Sequence, residues 1–374
     1  AEQLKQQFYK LACSFSVSAG RGKTYISLSG LDENKAEAAK LMEQFLANAK
    51  VDTAAWHQYV ALEKKSREVN KLNQKANFQA LYSYGVYGKY NPVLNQMTYA
   101  ELDSAKPADM VKLITTLAGY KHSVRYYGPS ELKDVIALVD KTHHTAKKLA
   151  DVPAGREYQE QPTEKNEIIL APYNAKNIYM RQYNNSGTQW TPGREPLAAM
   201  FNEYFGGGMN TVVFQELRES RGLAYNAYAA YVTPSRKGHP EFAMTHIISQ
   251  NDKMMDCIRV FKEILDTIPQ SEKAFELAKQ SLAKQLASER TTKFGIINRY
   301  LYSRERGIDY DLNEKIYNAL PKITLQDIVN FEKQTMANKP YRYLILGDEK
   351  NLDMKALEKI GPVRRLSTEE IFGY

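Results

Sequence analysis

The stretch FGGGMNTVVFQELRESRGLAY, residues 205–225, compresses a glycine loop, an amphipathic helix, a helix stop and a strand start into one short segment. Gly206, Gly207 and Gly208 free the backbone for conformations closed to other residues. They suit either a loop between two helices or the close approach of a peptide or partner to the main chain. Behind them, Met209, Val213 and Leu217 mark one stripe of a helix over 209–221. Gly222 can take the left-handed position that ends a helix, with Leu223 as the apolar contact beyond it. A strand is expected over 223–232. Arg218 then lies in the last helical turn and Tyr225 near the strand start, so the reversal can bring both side chains to one end of a domain. Two roles fit the pair. In one, Arg218 offsets the helix dipole while Tyr225 packs in the sheet. In the other, a cationic fork and a phenol face one carbonyl or oxyanion, as peptide binding and a tetrahedral intermediate require.

Working outward, the second half continues with a turn at TPSRKGHP and a strand over 241–249. A helix follows, with a core stripe at Met254, Ile258, Phe261, Leu265 and Ile268. Pro269 stops it, and Ser271 begins another helix with Phe275, Ala278, Leu282 and Leu286 facing inward. The first half repeats this order. Leu4, Phe8 and Leu11 mark a helix; strands are expected around 13–18 and 23–29; Leu41, Phe45 and Ala49 mark a helix, and Trp56 and Val60 start the next. Leu41, Phe45, Leu46 and Trp56 line up without gaps with Val260, Ile264, Leu265 and Phe275. Leu11 and Ala12 line up with Leu223 and Ala224 at a slightly shorter offset, as a longer hairpin loop in the second copy would give. The expected fold is therefore α+β, with two related domains, each an antiparallel sheet covered by helices. The polar stretch AGREYQEQPTEKNE is the linker, giving a first domain over 1–153, a linker over 154–167 and a second domain over 168–374. The strand pattern IILAPYNAKNIYMRQY, the helix PLAAMFNEYF and the glycine loop have no counterpart in the first copy. The first domain is thus expected to be truncated at its N-terminus, with the chain beginning in a helix already under way.

At 374 residues, with 43% hydrophobic and 25% charged residues, each half can bury its own core. No run approaches the roughly 18 apolar residues of a membrane span. Cys13 and Cys257 are too few for a disulfide framework or a four-cysteine zinc site. The net charge of +8 is spread along the chain and reads mostly as a solvated surface, with attraction of acidic partners as the lesser role. Tyrosine, at 26 copies, suits contact surfaces. None of His57, His122, His143, His144, His239 and His246 sits in H-E-x-x-H or H-x-x-E-H, the spacings that put two imidazoles and a carboxylate on one zinc. The adjacent His143 and His144 point in different directions on a helix and read as surface residues near a helix end. Gly22-Lys23-Thr24 imitates the end of a phosphate loop, but Val17 stands where its first glycine belongs, and a hairpin turn fits better. Thr211 stands at the third glycine of a dinucleotide fingerprint. Basic residues are not interleaved with aromatics, so no nucleic-acid partner is expected.

The segment FGGGMNTVVFQELRESRGLAYNAY, together with the GLDEN, SQNDK and SEKAF regions and the closing LSTEEIFGY, resembles the pitrilysin/insulinase family of zinc metallopeptidases, the inverzincins. More particularly it is similar to the C-terminal half of a bacterial member. The resemblance implies four related domains in two halves enclosing a chamber, with residues 1–153 as the third and 168–374 as the fourth. It places the zinc, held by H-x-x-E-H and a later glutamate, on an N-terminal half absent here, so this chain alone is expected neither to hold zinc nor to cleave peptides. By motif position Arg218 and Tyr225 match the family's Arg/Tyr pair, which reaches across to the substrate at the zinc site, and Gly206, Gly207 and Gly208 would bind substrate. Gln6 and Cys13 hold the corresponding places in the first copy, which lacks the pair. The implied partners are the N-terminal catalytic half and peptide substrates. The implied location is the bacterial periplasm or envelope rather than the cytoplasm. The alternative function is a noncatalytic structural or interaction subunit.

Overall fold

The periodicities of the sequence appear as elements in the computed structural model, which describes residues 2–20 and 22–374. Helix α1 (Glu2–Lys10) leads into strands β1 (Cys13–Gly20) and β2 (Lys23–Gly30). Helices α2 (Lys35–Ala47), α3 (Thr53–Leu72), α4 (Gln74–Tyr87), α5 (Tyr99–Ser104), α6 (Pro107–Thr115) and α7 (Leu132–Thr142) follow. Next come β3 (Glu167–Pro172), β4 (Asn177–Asn184), α8 (Glu195–Phe201), a π-turn (Asn202–Gly206), α9 (Val212–Phe214) and a second π-turn (Gln215–Glu219). Strands β5 (Ala224–Val232) and β6 (Phe242–Gln250) precede α10 (Met254–Asp266), α11 (Glu272–Ser288), α12 (Phe294–Glu305), α13 (Leu312–Ala319) and α14 (Leu325–Thr335). The chain closes with β7 (Arg342–Gly347), α15 (Met354–Ile360), β8 (Val363–Arg365) and α16 (Thr368–Phe372). The repeat is visible in the order helix, strand, strand, helix, helix, which runs from α1 to α3 and again from α9 to α11.

Two compact units form. The first takes Ala1–Lys64, Tyr99–Glu157 and Thr292–Ile297. Its sheet is the antiparallel hairpin β1–β2, and Gly22, at φ +71°, makes the expected turn. Phe8 stacks on Phe15 at 5.5 Å between ring centroids, and Phe15 meets the edge of Phe45 at 5.5 Å, giving the unit an aromatic centre.

The second unit takes Lys65–Thr98, Tyr158–Thr291 and Asn298–Tyr374. Its six-stranded sheet runs β5-β6-β4-β7-β3-β8. The expected antiparallel pairing holds from β5 through β7, while β3 lies parallel to both β7 and β8. Helix-bearing crossovers reach β7 and β8, and such connections are what parallel neighbours need. One face carries the main core. Ala227, Ala229 and Tyr231 alternate inward from β5, against Met254, Ile258, Phe261 and Leu265 of α10 and Phe275 of α11. The α10 stripe is the one that the sequence periodicity gives.

The other face explains a departure from the expected domain boundaries. Phe78, Ala80, Leu81 and Tyr84 of α4 bury against Ile169 of β3, Leu344 and Leu346 of β7, and Ile371 and Phe372 of α16. Residues 65–98 therefore pack with the second unit, although they precede the 154–167 segment by more than fifty positions. Helix α4 interleaves its apolar residues with Gln74, Lys75, Asn77, Gln79 and Ser83 and shows no single stripe, so its periodicity does not say which sheet it covers. Residues 154–166 hold no helix or strand. Their C-terminal part is nonetheless anchored: the Gln161 N–H donates to the Val86 carbonyl at 2.7 Å and the Thr163 N–H to the Asn185 carbonyl at 2.8 Å.

Glu332 on α14 is fully buried, and neither carboxylate oxygen has a hydrogen-bond partner. Burial, reinforced by the negative charge of Asp266, pushes its carboxyl up to about 7. The folded chain then holds this proton more tightly than the unfolded chain does. Stability should fall as pH rises from about 4.5 to 7, by at most about 1.4 kcal/mol per pH unit, and level off above. Glu332→Gln should flatten that slope and raise stability at neutral pH in urea unfolding. A second expectation concerns α4: Leu81→Ala should cost about 2–5 kcal/mol in the same unfolding transition that Phe261→Ala lowers. A Leu81→Ala chain of unchanged stability would detach α4 from this core.

Candidate functional site

The candidate site grows from the way the chain passes from α8 into β5. The α-helix ends at Phe201 and widens into the first π-turn, whose Asn202 side chain acts as a strand partner for β5. Asn202 Nδ2 donates to the Tyr231 carbonyl at 2.9 Å and its Oδ1 accepts from the Tyr231 N–H at 2.7 Å. Strand β5 is an edge strand, so this pairing covers part of its open edge. Gly206 belongs to the same contact. It is buried, and a Cβ there would lie 2.4 Å from the Ala229 carbonyl oxygen. Packing against β5 therefore explains this glycine without a ligand. Gly207 and Gly208 are exposed, and an added Cβ at Gly207 would meet nothing within 4 Å.

The expected helix over 209–221 is shorter and looser than its pattern. Met209 lies outside it and is 74% exposed. The helix starts at Val212, where Thr211 Oγ1 donates back to the Gly208 carbonyl at 2.8 Å. Val213 and Leu217 are fully buried, as the stripe requires. The helix then opens into the second π-turn, marked by the Ser220 N–H donating to the Gln215 carbonyl at 2.8 Å. Such turns recur at functional positions, and no sequence periodicity announces them. Gly222 ends the helix at φ +56°, as expected, while the Leu223 N–H donates to the Leu217 carbonyl at 2.9 Å.

The chain then enters β5 through a β-bulge. Ala224 pairs with Ser249 and Asn226 with Ile248, which leaves Tyr225 without a partner on β6. The extra residue lets Ala224 and Ala227 both face the core while Tyr225 and Asn226 both face outward. Tyr225 is 76% exposed, so it does not pack in the sheet. Among the described residues its hydroxyl has no hydrogen-bond partner. The Arg218 guanidinium lies 5.9 Å from the Tyr225 ring centroid and 4.9 Å from that of Phe214. Its one ion-pair contact, Nε to Glu219 Oε1, is 3.7 Å long. The structural ion pairing falls to the neighbouring arginine: Arg221 reaches Glu216 at 3.2 Å and Glu263 at 3.1 Å. Arg221 and then Arg259 hold the Glu263 carboxyl below its ordinary value. The reversal thus brings Arg218 and Tyr225 together at the surface, with donors that the fold leaves uncommitted.

Beyond the bulge, the outward face of β5 carries Tyr228. Its hydroxyl accepts from Arg181 of β4 at 2.8 Å, and Arg181 stacks over Tyr82 at 4.1 Å. His246 of β6 sits beside them, buried in a strand. Burial, then the Arg181 charge, pushes its imidazole down to about 3. It is neutral and donates Nδ1–H to the Met180 carbonyl at 3.0 Å. The sequence offered only alternation along β5 as a signal for this cluster. Among the described residues no group of three or more His, Cys, Asp or Glu could hold a metal ion, and no helix is long and apolar enough to cross a membrane.

Residues 124–282, which span the whole Phe205–Tyr225 segment, match the family described as the peptidase M16 inactive domain. Over those residues the chain is similar to a peptidase M16 inactive domain. An uncharacterized zinc protease of Mycobacterium bovis is 25% identical over 170 residues, covering 42% of this chain and 36% of the relative. The chain thus matches little more than a third of that protease's length. Among solved structures, the peptidase M16 inactive domain of Pseudomonas fluorescens superposes with a TM-score of 0.64 at 16% identity, covering 92% of this chain and 83% of that one. The periplasmic protease PqqL of Escherichia coli superposes with a TM-score of 0.64 at 13% identity, covering 93% of this chain but only 39% of that one. The α+β fold is that of the solved peptidase M16 inactive domain.

In this chain, the packing roles of the three glycines separate cleanly. Gly206→Ala should cost about 1–3 kcal/mol in urea unfolding, since a carbonyl oxygen blocks its methyl group. Gly207→Ala should stay within about 0.5 kcal/mol of wild type.

Proposed function

We propose that this chain is the non-zinc half of a zinc metalloendopeptidase, and that Arg218 and Tyr225 complete an active site whose metal lies on another half. The observation that carries the proposal is the bulge at Tyr225. It holds a phenol and a guanidinium together, exposed and without strong partners inside the fold. Both are donors suited to a carbonyl oxygen that gains negative charge.

The division of labour follows. An H-x-x-E-H motif on the N-terminal half would hold the zinc, which would supply an activated water at neutral pH. Arg218 and Tyr225 orient the scissile carbonyl and donate hydrogen bonds to its oxygen as the tetrahedral intermediate forms. Gly207 and Gly208, open on the surface, allow the peptide to approach the main chain closely, whereas Gly206 serves the packing. The coverage of PqqL, about two fifths of that protease, supports a larger enzyme of which this fold is one half. That protease is periplasmic, which also supports placing this chain in the bacterial periplasm or envelope.

In the enzyme assembled with its H-x-x-E-H half, Arg218→Ala or Tyr225→Phe should lower kcat by roughly 10²–10³-fold with little change in KM. The unfolding midpoint should barely move, because both side chains are surface groups. Wild-type turnover in both variants would return the chain to the alternative role of a noncatalytic structural or interaction subunit.

A further inference from the structure

The first compact unit contains a second grouping that the peptidase role does not use. The Nε2 atoms of His122 and His143 lie 2.9 Å apart. Their ring centroids are 5.0 Å apart with planes at 85°, so the rings meet nitrogen to nitrogen and do not stack. Each outer nitrogen is already committed. His122 Nδ1 lies 2.6 Å from the Tyr120 carbonyl oxygen, and His143 Nδ1 lies 2.7 Å from Glu43 Oε1. A carbonyl oxygen and an ionised carboxylate can only accept, so both Nδ1 atoms carry the hydrogen. A neutral imidazole has one N–H. Both Nε2 atoms therefore present lone pairs to each other, an arrangement that requires a cation between them.

We propose that His122 and His143 bind a divalent transition-metal ion of the zinc class through their Nε2 atoms. Imidazole nitrogen suits such ions. Donation of the other ring N–H to a carboxylate or a backbone carbonyl is the support that metal-binding histidines use, and Glu43 and Tyr120 supply one of each. With Zn–N bonds of about 2.0–2.1 Å in tetrahedral geometry, the two nitrogens would separate by only about half an ångström. Water completes the coordination, since the protein offers two ligands. The scaffold is fixed on three sides. Glu43 lies on α2. His143 follows α7, with its N–H on the Val139 carbonyl at 2.7 Å. Tyr120 is tied to the segment at Ala150, through the Lys121 N–H to the Ala150 carbonyl at 2.8 Å and the Ala150 N–H to the Gly119 carbonyl at 2.9 Å. His143 and Glu43 are about one-fifth exposed and His122 is open to solvent, so an ion can reach the pair.

The test is isothermal titration of the whole chain with zinc chloride alone, repeated by equilibrium dialysis. One equivalent should bind. His122→Ala and His143→Ala should each abolish it, and Glu43→Gln should weaken it by about 10–100-fold. His57→Ala and His144→Ala should leave it unchanged. His122 is exposed, so His122→Ala carries the comparison if His143→Ala loses its fold by circular dichroism. Absence of stoichiometric binding, or binding that survives His122→Ala, would overturn the proposal and leave a proton alone shared between the two rings.

Discussion

Everything at the candidate site depends on one extra residue in a strand. Because Tyr225 has no partner on β6, the chain can turn a large aromatic side chain out of the sheet without disturbing the inward alternation of Ala227, Ala229 and Tyr231. Regular pairing would put Tyr225 or Asn226 on the core face. The bulge also follows directly on the left-handed Gly222, so the helix end and the strand start form one rigid corner. Arg218 reaches the tyrosine because its helix opens into a π-turn just before that corner. The two irregularities cooperate, and neither is a defect of packing: Leu217 and Ala224 on either side of the corner are both buried.

The same corner is stabilised from behind. Asn202 pairs with the Tyr231 backbone, and Gly206 lets the first π-turn lie close against the Ala229 carbonyl. An edge strand otherwise open to pairing with a further strand is partly occupied by its own chain. Here the glycine-rich signature has two separate causes. Gly206 is dictated by backbone proximity, whereas Gly207 and Gly208 meet no such constraint.

Much of the fold was legible in the residues. The stripes of α10 and α11, the hairpin at Gly22, the stop at Gly222 and the helix–strand–strand–helix–helix repeat all follow from periodicity and from glycine chemistry. Position in space was not legible where a segment lacks a clear apolar stripe. Helix α4 scatters polar residues among apolar ones, Asn77 and Ser83 being buried with them, so its packing with β3 and β7 emerges only from Leu81 and Tyr84 in their tertiary setting. At the site, the proximity of Arg218 and Tyr225 was readable from a helix-to-strand reversal. The register slip at Tyr225, the two π-turns and the role of Asn202 were not, because each depends on hydrogen bonds between distant residues. The imidazole pair was hidden for the same reason, since Glu43, Tyr120, His122 and His143 share no local motif.

A double-mutant cycle on kcat in the proposed two-half peptidase, combining Arg218→Ala with Tyr225→Phe, tests most directly whether the pair acts on one carbonyl. Groups that stabilise the same developing charge are coupled, so the double variant should lose clearly less than the product of the two single losses. Single losses that simply multiply, or turnover that stays at the wild-type level in all three variants, would contradict a shared role.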